Sequence, residues 1–496
     1  MNEIAKLLLD VEAVLCTLYE AIYRDYSGIA PASGSGALNG TIGDRLLSRE
    51  THEMLQDAAS STADPIEARS LANVRAFLIK EALEQSSAAE RSDVARASCL
   101  RRLEGPESEM LSLREAQALL PTIEPRALRD QLDRRIAAHV GAIARPLQRG
   151  FERLVETSNR LRLDDYSNLL PSLLGFDLPP LVDAARALLD STEDAYRDVS
   201  AWYLERVCGV APREARFHDW LYLLRAPWLR REYQPFDLVP KGQSCLREMS
   251  IDWPKAIHLD LEERPNKVAR AFCVPLSVPD SIALSIFPRG GFEDYAAFYH
   301  ELGHALHFSH VSPNLPIGVR ALGDDALFEG YAMLFEGLVA EPLWVRRFLG
   351  YRVSADDERF FALRRLFQLR RSCGKLIYEV ELYREGLRAD RADRYREILG
   401  RALGIEVHRE FFLLDVDPHL YCSAYIRAWA LEDALRRFLC ERWDEQWWRD
   451  PATGAFLRSL FARGQTFDAE ELAAELGAEL SLARVGEGLV ERLGPS

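Results

Sequence analysis

Apolar residues recur along most of this chain at spacings of three and four, the period of an amphipathic helix. Residues 1 to 26, "MNEIAKLLLDVEAVLCTLYEAIYRDY", follow that pattern and predict one helix. The stretch Ser27 to Gly43, "SGIAPASGSGALNGTIG", is rich in Gly, Ser and Ala and predicts a mobile loop. From about Arg45 to Arg206 the pattern predicts helix after helix. Breaks are expected near Gly105-Pro106, Pro121, Pro146, Pro171, Gly175 and Pro179-Pro180. The period changes between Ile257 and Gly291. There "AIHLDL", "VARAFCVPL" and "IALSIFP" are short alternating or β-branched runs that predict two or three strands of a small sheet. "PRGG" (Pro288 to Gly291) breaks the chain, and helical periodicity then continues almost to the end. No internal repeat is present. The expected fold is mainly α, with one small β element directly before a histidine-rich helix.

At 496 residues the chain is long for one core, so two or three subdomains, or one large helical body with a cleft, are expected. The division read here is a helical region over 1–200 and a chemistry-bearing domain over 201–496. A composition 48% hydrophobic and 28% charged is that of an ordinary globular enzyme and argues against disorder. The formal net charge of −15 disfavours nucleic acid and anionic membrane surfaces as partners. None of the eight cysteines sits in a C-x-x-C pair. Acidic residues interrupt the apolar runs of the N-terminal helix, which reads as neither a signal peptide nor a membrane span. Together these features predict buried thiols in a reducing compartment, the cytoplasm.

Candidate chemistry is concentrated in "FYHELGHALHFSH", Phe298 to His310, which carries four of the chain's ten histidines. His300, Glu301 and His304 form H-E-x-x-H. On a helix the two histidines lie about one turn apart on one face and can share a metal ion, while Glu301 is rotated by roughly 100°. That geometry suits a carboxylate that takes a proton from water without being a ligand. A catalytic zinc uses three protein ligands and keeps one position open. The alternative is two surface histidines on an amphipathic helix. Against it, Phe292, Tyr295, Phe298, Tyr299 and Leu302 leave little polar surface, so the helix is expected to be buried, and buried histidines need partners.

Two candidates compete for the third ligand. His310 stands ten residues after His300, the spacing of H-E-x-x-H-x-x-G-x-x-H. That pattern needs Gly at its eighth position for a sharp turn, and here His307 occupies it. His307 itself reads as a histidine satisfied within helix packing, with a direct metal role as the alternative. The second candidate lies in "DDALFEGYAMLFEGLVAEP", Asp324 to Pro342, where Glu329 and Glu336 are seven residues apart and share an otherwise apolar face. Two carboxylates there are costly unless each has a cationic partner. Glu329 as third ligand, with Glu336 orienting a ligand histidine through its ring N–H, resolves that cost. A solvated helix edge is the plain alternative.

With Glu329 placed 29 residues after His300 and Glu336 seven later, "FYHELGHALH" resembles the M3 family of zinc metallopeptidases, the thimet oligopeptidase and oligoendopeptidase F group. "LDLEERPNKVARAFCVPL" (Leu259 to Leu276) resembles the family's strand segment before the zinc helix. "DPHLYCSAYIRAW" (Asp417 to Trp429) resembles the C-terminal segment of the oligoendopeptidase F branch, with His419, Tyr421 and Tyr425 at matching positions. The resemblance covers about residues 255 to 440. It implies a two-lobed, mainly α, zincin-like fold with a deep channel, one wall built by the N-terminal region. It also implies one Zn2+ on His300, His304 and Glu329, with Glu301 as general base. His419 and the tyrosines would stand opposite the zinc as donors to the substrate and the developing oxyanion. The implied activity is hydrolysis of internal bonds in short unfolded peptides.

The sequence departs from that family in its shorter N-terminal half and at Arg427, which stands where oligoendopeptidase F-like sequences carry tyrosine. Arg427 is therefore read either as a substrate-carboxylate binder or as a member of a structural ion pair. "RRLFQLRRSCGK" (Arg364 to Lys375) reads as an ion-paired or solvated face, and Cys422 as a small buried thiol. The "IALSIF" strand is expected to pair with substrate backbone as an added strand. A carboxypeptidase or dipeptidase on the same scaffold, and a non-catalytic peptide-binding relative, are the rival readings. Zinc is favoured over other metals by the ligand types alone.

Overall fold

The computed structural model of the chain describes residues 3–29, 43, 45–160, 166–264, 267–268 and 270–494. Most of the loop expected over Ser27 to Gly43 lies outside the described residues. The fold is mainly helical with a small sheet. Among the described residues, no helix is long and apolar enough to cross a membrane.

The first helix, Glu3–Tyr26, buries Leu7, Val11, Leu15 and Leu18, one face at helical spacing. A run of helices follows to Tyr203. The break at Gly105-Pro106 is the turn of a short hairpin, β1 (Leu103–Glu104) with β2 (Met110–Leu111), which the periodicity does not predict. Pro146 and Pro179-Pro180 fall in the first turns of Ala144–Arg160 and Leu178–Ser191, where a missing N–H costs nothing. Pro171 does not break the chain. It sits inside Tyr166–Leu174, which ends only at Gly175 (φ 81°).

The sheet consists of β3 (Ile257–Asp260), β4 (Phe272–Ser277) and β5 (Ser281–Ser285), in the order β3-β5-β4. β3 runs parallel to β5, and β4 antiparallel to it. The "IALSIF" strand is therefore central, with both backbone edges taken by neighbours, and cannot accept a substrate as an added strand. β4 is an outer strand. It packs on the histidine helix and, through Phe272, on Tyr23 and Tyr26 of the first helix.

One apolar cluster runs from Leu7 to Leu493 and includes residues on both sides of position 200. Within it lie three stacked helices: a histidine helix (Phe292–His310), a glutamate helix (Asp325–Leu338) and a tyrosine helix (Tyr421–Trp443). The stack is tight because of two glycines. A Cβ on Gly303 would lie 2.7 Å from the Cα of Ala332, and one on Gly330 would lie 2.7 Å from Cδ2 of Leu431. The glutamate helix is thereby pressed between the other two, which sets the distances in the site.

Candidate metal centre

The histidine helix buries Phe292, Tyr295, Phe298, Tyr299 and Leu302. That apolar side fixes its rotation and leaves His300 and His304 facing the glutamate helix. Their side chains are 18% and 13% exposed, against 5% for Glu329. Nε2 of His300 lies 3.2 Å, and Nε2 of His304 3.8 Å, from Oε2 of Glu329. The ligand atoms of His300, His304 and Glu329 all lie within 4.8 Å of one another.

A layer of fixed partners surrounds the three. Oε2 of Glu336 stands 3.0 Å from Nδ1 of His300, on the ring nitrogen facing away from Glu329. Arg364 donates to Glu336 at 2.9 Å and to Glu293 at 2.8 Å. Tyr421 donates its hydroxyl proton to Oε1 of Glu329 at 2.6 Å. Each Glu329 oxygen thus has its own task, one held by Tyr421 and one turned to the histidines. The Arg364 contact follows from the long helix Ala355–Glu385 crossing the site, and the sequence carries no local signal for it.

The electrostatics are those of a cation site. Burial opposes a charged imidazole at His300, but Glu329 and Glu336 outweigh it and hold its pKa well above the ordinary range. Burial also opposes ionisation of both glutamates. The histidines, together with Tyr421 and Arg364, nevertheless keep Glu329 below the usual carboxylate value and Glu336 down to about 2. Burial pushes His304 down to about 4. A proton on His300 thus stands where positive charge is wanted, and a divalent ion would displace it. The donor set, two imidazole nitrogens and a carboxylate oxygen, suits zinc. Oε2 of Glu329 is buried and accepts no well-formed hydrogen bond. The group offers a partly exposed face and three donor atoms, fewer than the four ligands of a closed structural zinc site.

The other predicted residues separate into those brought to this place and those that are not. Burial raises Glu301 to about 7, against the lowering pull of His300 and of the backbone N–H of Cys273 on β4. Tyr425 packs edge-on against Tyr421, ring centroids 5.1 Å apart, and its hydroxyl feels the charges of both Glu329 and Glu301. His419 is buried, with Nε2 3.4 Å from Oε1 of Glu84 on the helix Pro65–Ser86.

Arg427 does not reach toward a substrate. It is 5% exposed, forks onto Asp324 at 2.7 Å through both terminal nitrogens, and pairs with Glu470. Asp324 caps the glutamate helix by accepting from Ala326 N–H, so Arg427 braces that helix start. His310 bonds the carbonyl of Leu306 at 2.8 Å and stays with its own helix. His307 is fully buried among Phe308, Phe328, Tyr331 and Phe461. Among the described residues neither of its ring nitrogens is hydrogen-bonded, and burial lowers its pKa to about 3. In the basic run, Arg364, Arg365, Arg370, Arg371 and Lys375 are all ion-paired. Cys422 is a buried thiol directed at Glu379.

No protein-family model matches the chain, and no curated protein matches it.

Proposed function

We propose that this chain is a zinc-dependent oligopeptidase of the M3 type that hydrolyses internal bonds of short unfolded peptides. The observation that carries the proposal is the gathering of His300, His304 and Glu329 within 4.8 Å, with Glu336 behind His300 and Glu301 beside it. Those three side chains would hold the ion. Zinc there supplies Lewis acidity and makes a water molecule easier to deprotonate.

The residues of the chain do the rest. Glu301 takes the proton of the attacking water and passes it to the leaving amine. Burial keeps its carboxylate a strong enough base for that exchange. Tyr425 donates a hydrogen bond to the oxyanion that develops on the scissile carbonyl. Tyr421 is already committed to Glu329, so its role is to steady a ligand. Glu336, itself held by Arg364, fixes the tautomer and tilt of His300.

The two-lobed channel of this peptidase type belongs to the same proposal. Supporting it, the helix Pro65–Ser86 meets the later helices at His419–Glu84 and at Lys80–Asp325, 3.5 Å apart. The cytoplasm is the proposed compartment, supported by seven described cysteines, from Cys16 to Cys440, that are free thiols.

A mixed peptide library tests the function. The purified protein is incubated with peptides bearing free or amidated C-termini, with and without a chelator, and the products are read by mass spectrometry. Chelator-sensitive internal cuts in both sets are expected. Cleavage confined to free C-termini would replace the reading with a carboxypeptidase, and no cleavage of any peptide would remove it.

A further inference from the structure

The tyrosine helix begins with a backbone turn that its own residues disfavour. His419 and Leu420, neither a glycine, both take the left-handed conformation, with φ of 52° and 58°. Consecutive left-handed residues with side chains persist only where the surroundings hold them. Glu379, on the long helix Ala355–Glu385, does the holding from both sides. Its Oε1 accepts the backbone N–H of Asp417 at 2.9 Å, before the turn. Its Oε2 accepts Sγ–H of Cys422 at 3.4 Å, after it. Glu379 and Cys422 are fully buried.

Lys375, one helical turn earlier and 5% exposed, supplies the cation for this cluster. Its Nζ lies 2.7 Å from Asp417, 3.8 Å from Asp415 and 3.9 Å from Glu379. Glu379, Asp417 and Cys422 also stand close enough together to hold a metal ion. The Lys375 ammonium stands in that group against Asp417, and burial holds the Glu379 carboxyl well above the usual range, so the group acts as a clamp on the turn.

The consequence lies in the next turn of chain. Tyr421 and Tyr425 are the first two tyrosines of the helix that starts at this turn; the Tyr421 hydroxyl donates to Glu329 at 2.6 Å, and the Tyr425 ring packs edge-on against Tyr421, centroids 5.1 Å apart. We propose that Glu379 and Lys375 are positioning residues: by clamping both flanks of the His419–Leu420 turn they set the Tyr425 hydroxyl against the metal triad. The catalytic part of this inference rests on the peptidase reading.

The test uses 3-fluorotyrosine placed at position 425 of the full-length, metal-free protein, observed by fluorine NMR, together with peptide turnover of the zinc-loaded enzyme. Glu379→Ala is expected to shift or broaden the resonance, because the ring is released. Glu379→Gln, which keeps an oxygen for the Asp417 N–H, is expected to restore it. In turnover, Glu379→Ala should lower kcat roughly 10–100-fold, with KM and zinc content unchanged, and should cost nothing further in a Tyr425→Phe background. An unchanged resonance, or fully additive losses with Tyr425→Phe, would overturn the proposal. If Glu379→Ala does not fold, Cys422→Ala removes one of the two grips. It must move the resonance in the same direction, and silence there overturns the clamp. A wild type that cuts no peptide while the resonance responds as expected would remove the peptidase reading and leave the clamp standing.

Discussion

Tyr421 holds Glu329: its hydroxyl lies 2.6 Å from one carboxylate oxygen, leaving the other turned to His300, 3.2 Å away. This division separates two tyrosines that sit four residues apart on one helix face. On the proposed function, Tyr421→Phe weakens zinc binding by roughly 10–100-fold, as loss of a ligand's supporting contact does. Tyr425→Phe leaves zinc affinity unchanged and lowers kcat by roughly 100–1000-fold, as loss of an oxyanion donor does. Zinc titration and steady-state kinetics on the two variants check this. The opposite assignment of effects would exchange their roles.

A second prediction concerns Arg364, which ties Glu336 and Glu293 to the long helix. Arg364→Met leaves Glu336 without its cation and frees it to swing from His300. On the proposed function, zinc affinity falls by roughly 10–100-fold, while the general-base step proposed for Glu301, measured as kcat at saturating zinc, changes far less.

The sequence leads directly to His300, Glu301, His304, Glu329 and Glu336, because H-E-x-x-H has helical spacing and two carboxylates on an apolar face demand a cation. It also yields the helical character and the small sheet. Arg364 and Tyr421 were not legible in these roles. Arg364 sits in a basic run, and its partner lies 28 positions away. The task of Tyr421 exists only because Gly330 lets the tyrosine helix approach Glu329. The place of the "IALSIF" strand is hidden for a similar reason: an alternating run does not say whether it is an edge or a centre, and β3 and β4 cover both of its sides. The sequence leaves a substrate role open for Arg427; Asp324 and Glu470, 103 and 43 positions away, claim its guanidinium.

The tight helix stack gives a stability prediction. A methyl at Gly303 meets backbone, at 2.7 Å from the Cα of Ala332 and 2.9 Å from the carbonyl oxygen of Tyr331. Backbone cannot move aside without separating the two ligand-bearing helices. Gly303→Ala is expected to cost about 1–3 kcal/mol and to weaken zinc binding as well. Gly330→Ala meets the side chain of Leu431 rather than backbone, and is expected to cost less. Urea denaturation of both variants checks the order.

A pH dependence follows from the pair His408–Asp133, 2.7 Å apart. The hydrogen bond that the imidazole donates to Asp133 outweighs burial and raises the pKa of His408 above its ordinary value. The folded state therefore binds this proton more tightly than the unfolded chain. The stabilisation is complete below the ordinary histidine value of about 6.5 and is lost as pH rises through the raised one. The difference in unfolding free energy between wild type and His408→Gln should shrink steadily as pH is raised from that point. A difference independent of pH would contradict the assignment.

The most direct measurement pairs metal content with turnover in wild type and Glu301→Gln, each purified from zinc-supplemented medium. The account predicts about one zinc per chain in both, and internal peptide cleavage by wild type alone. Absence of bound metal from wild type, or unimpaired cleavage by Glu301→Gln, would contradict it.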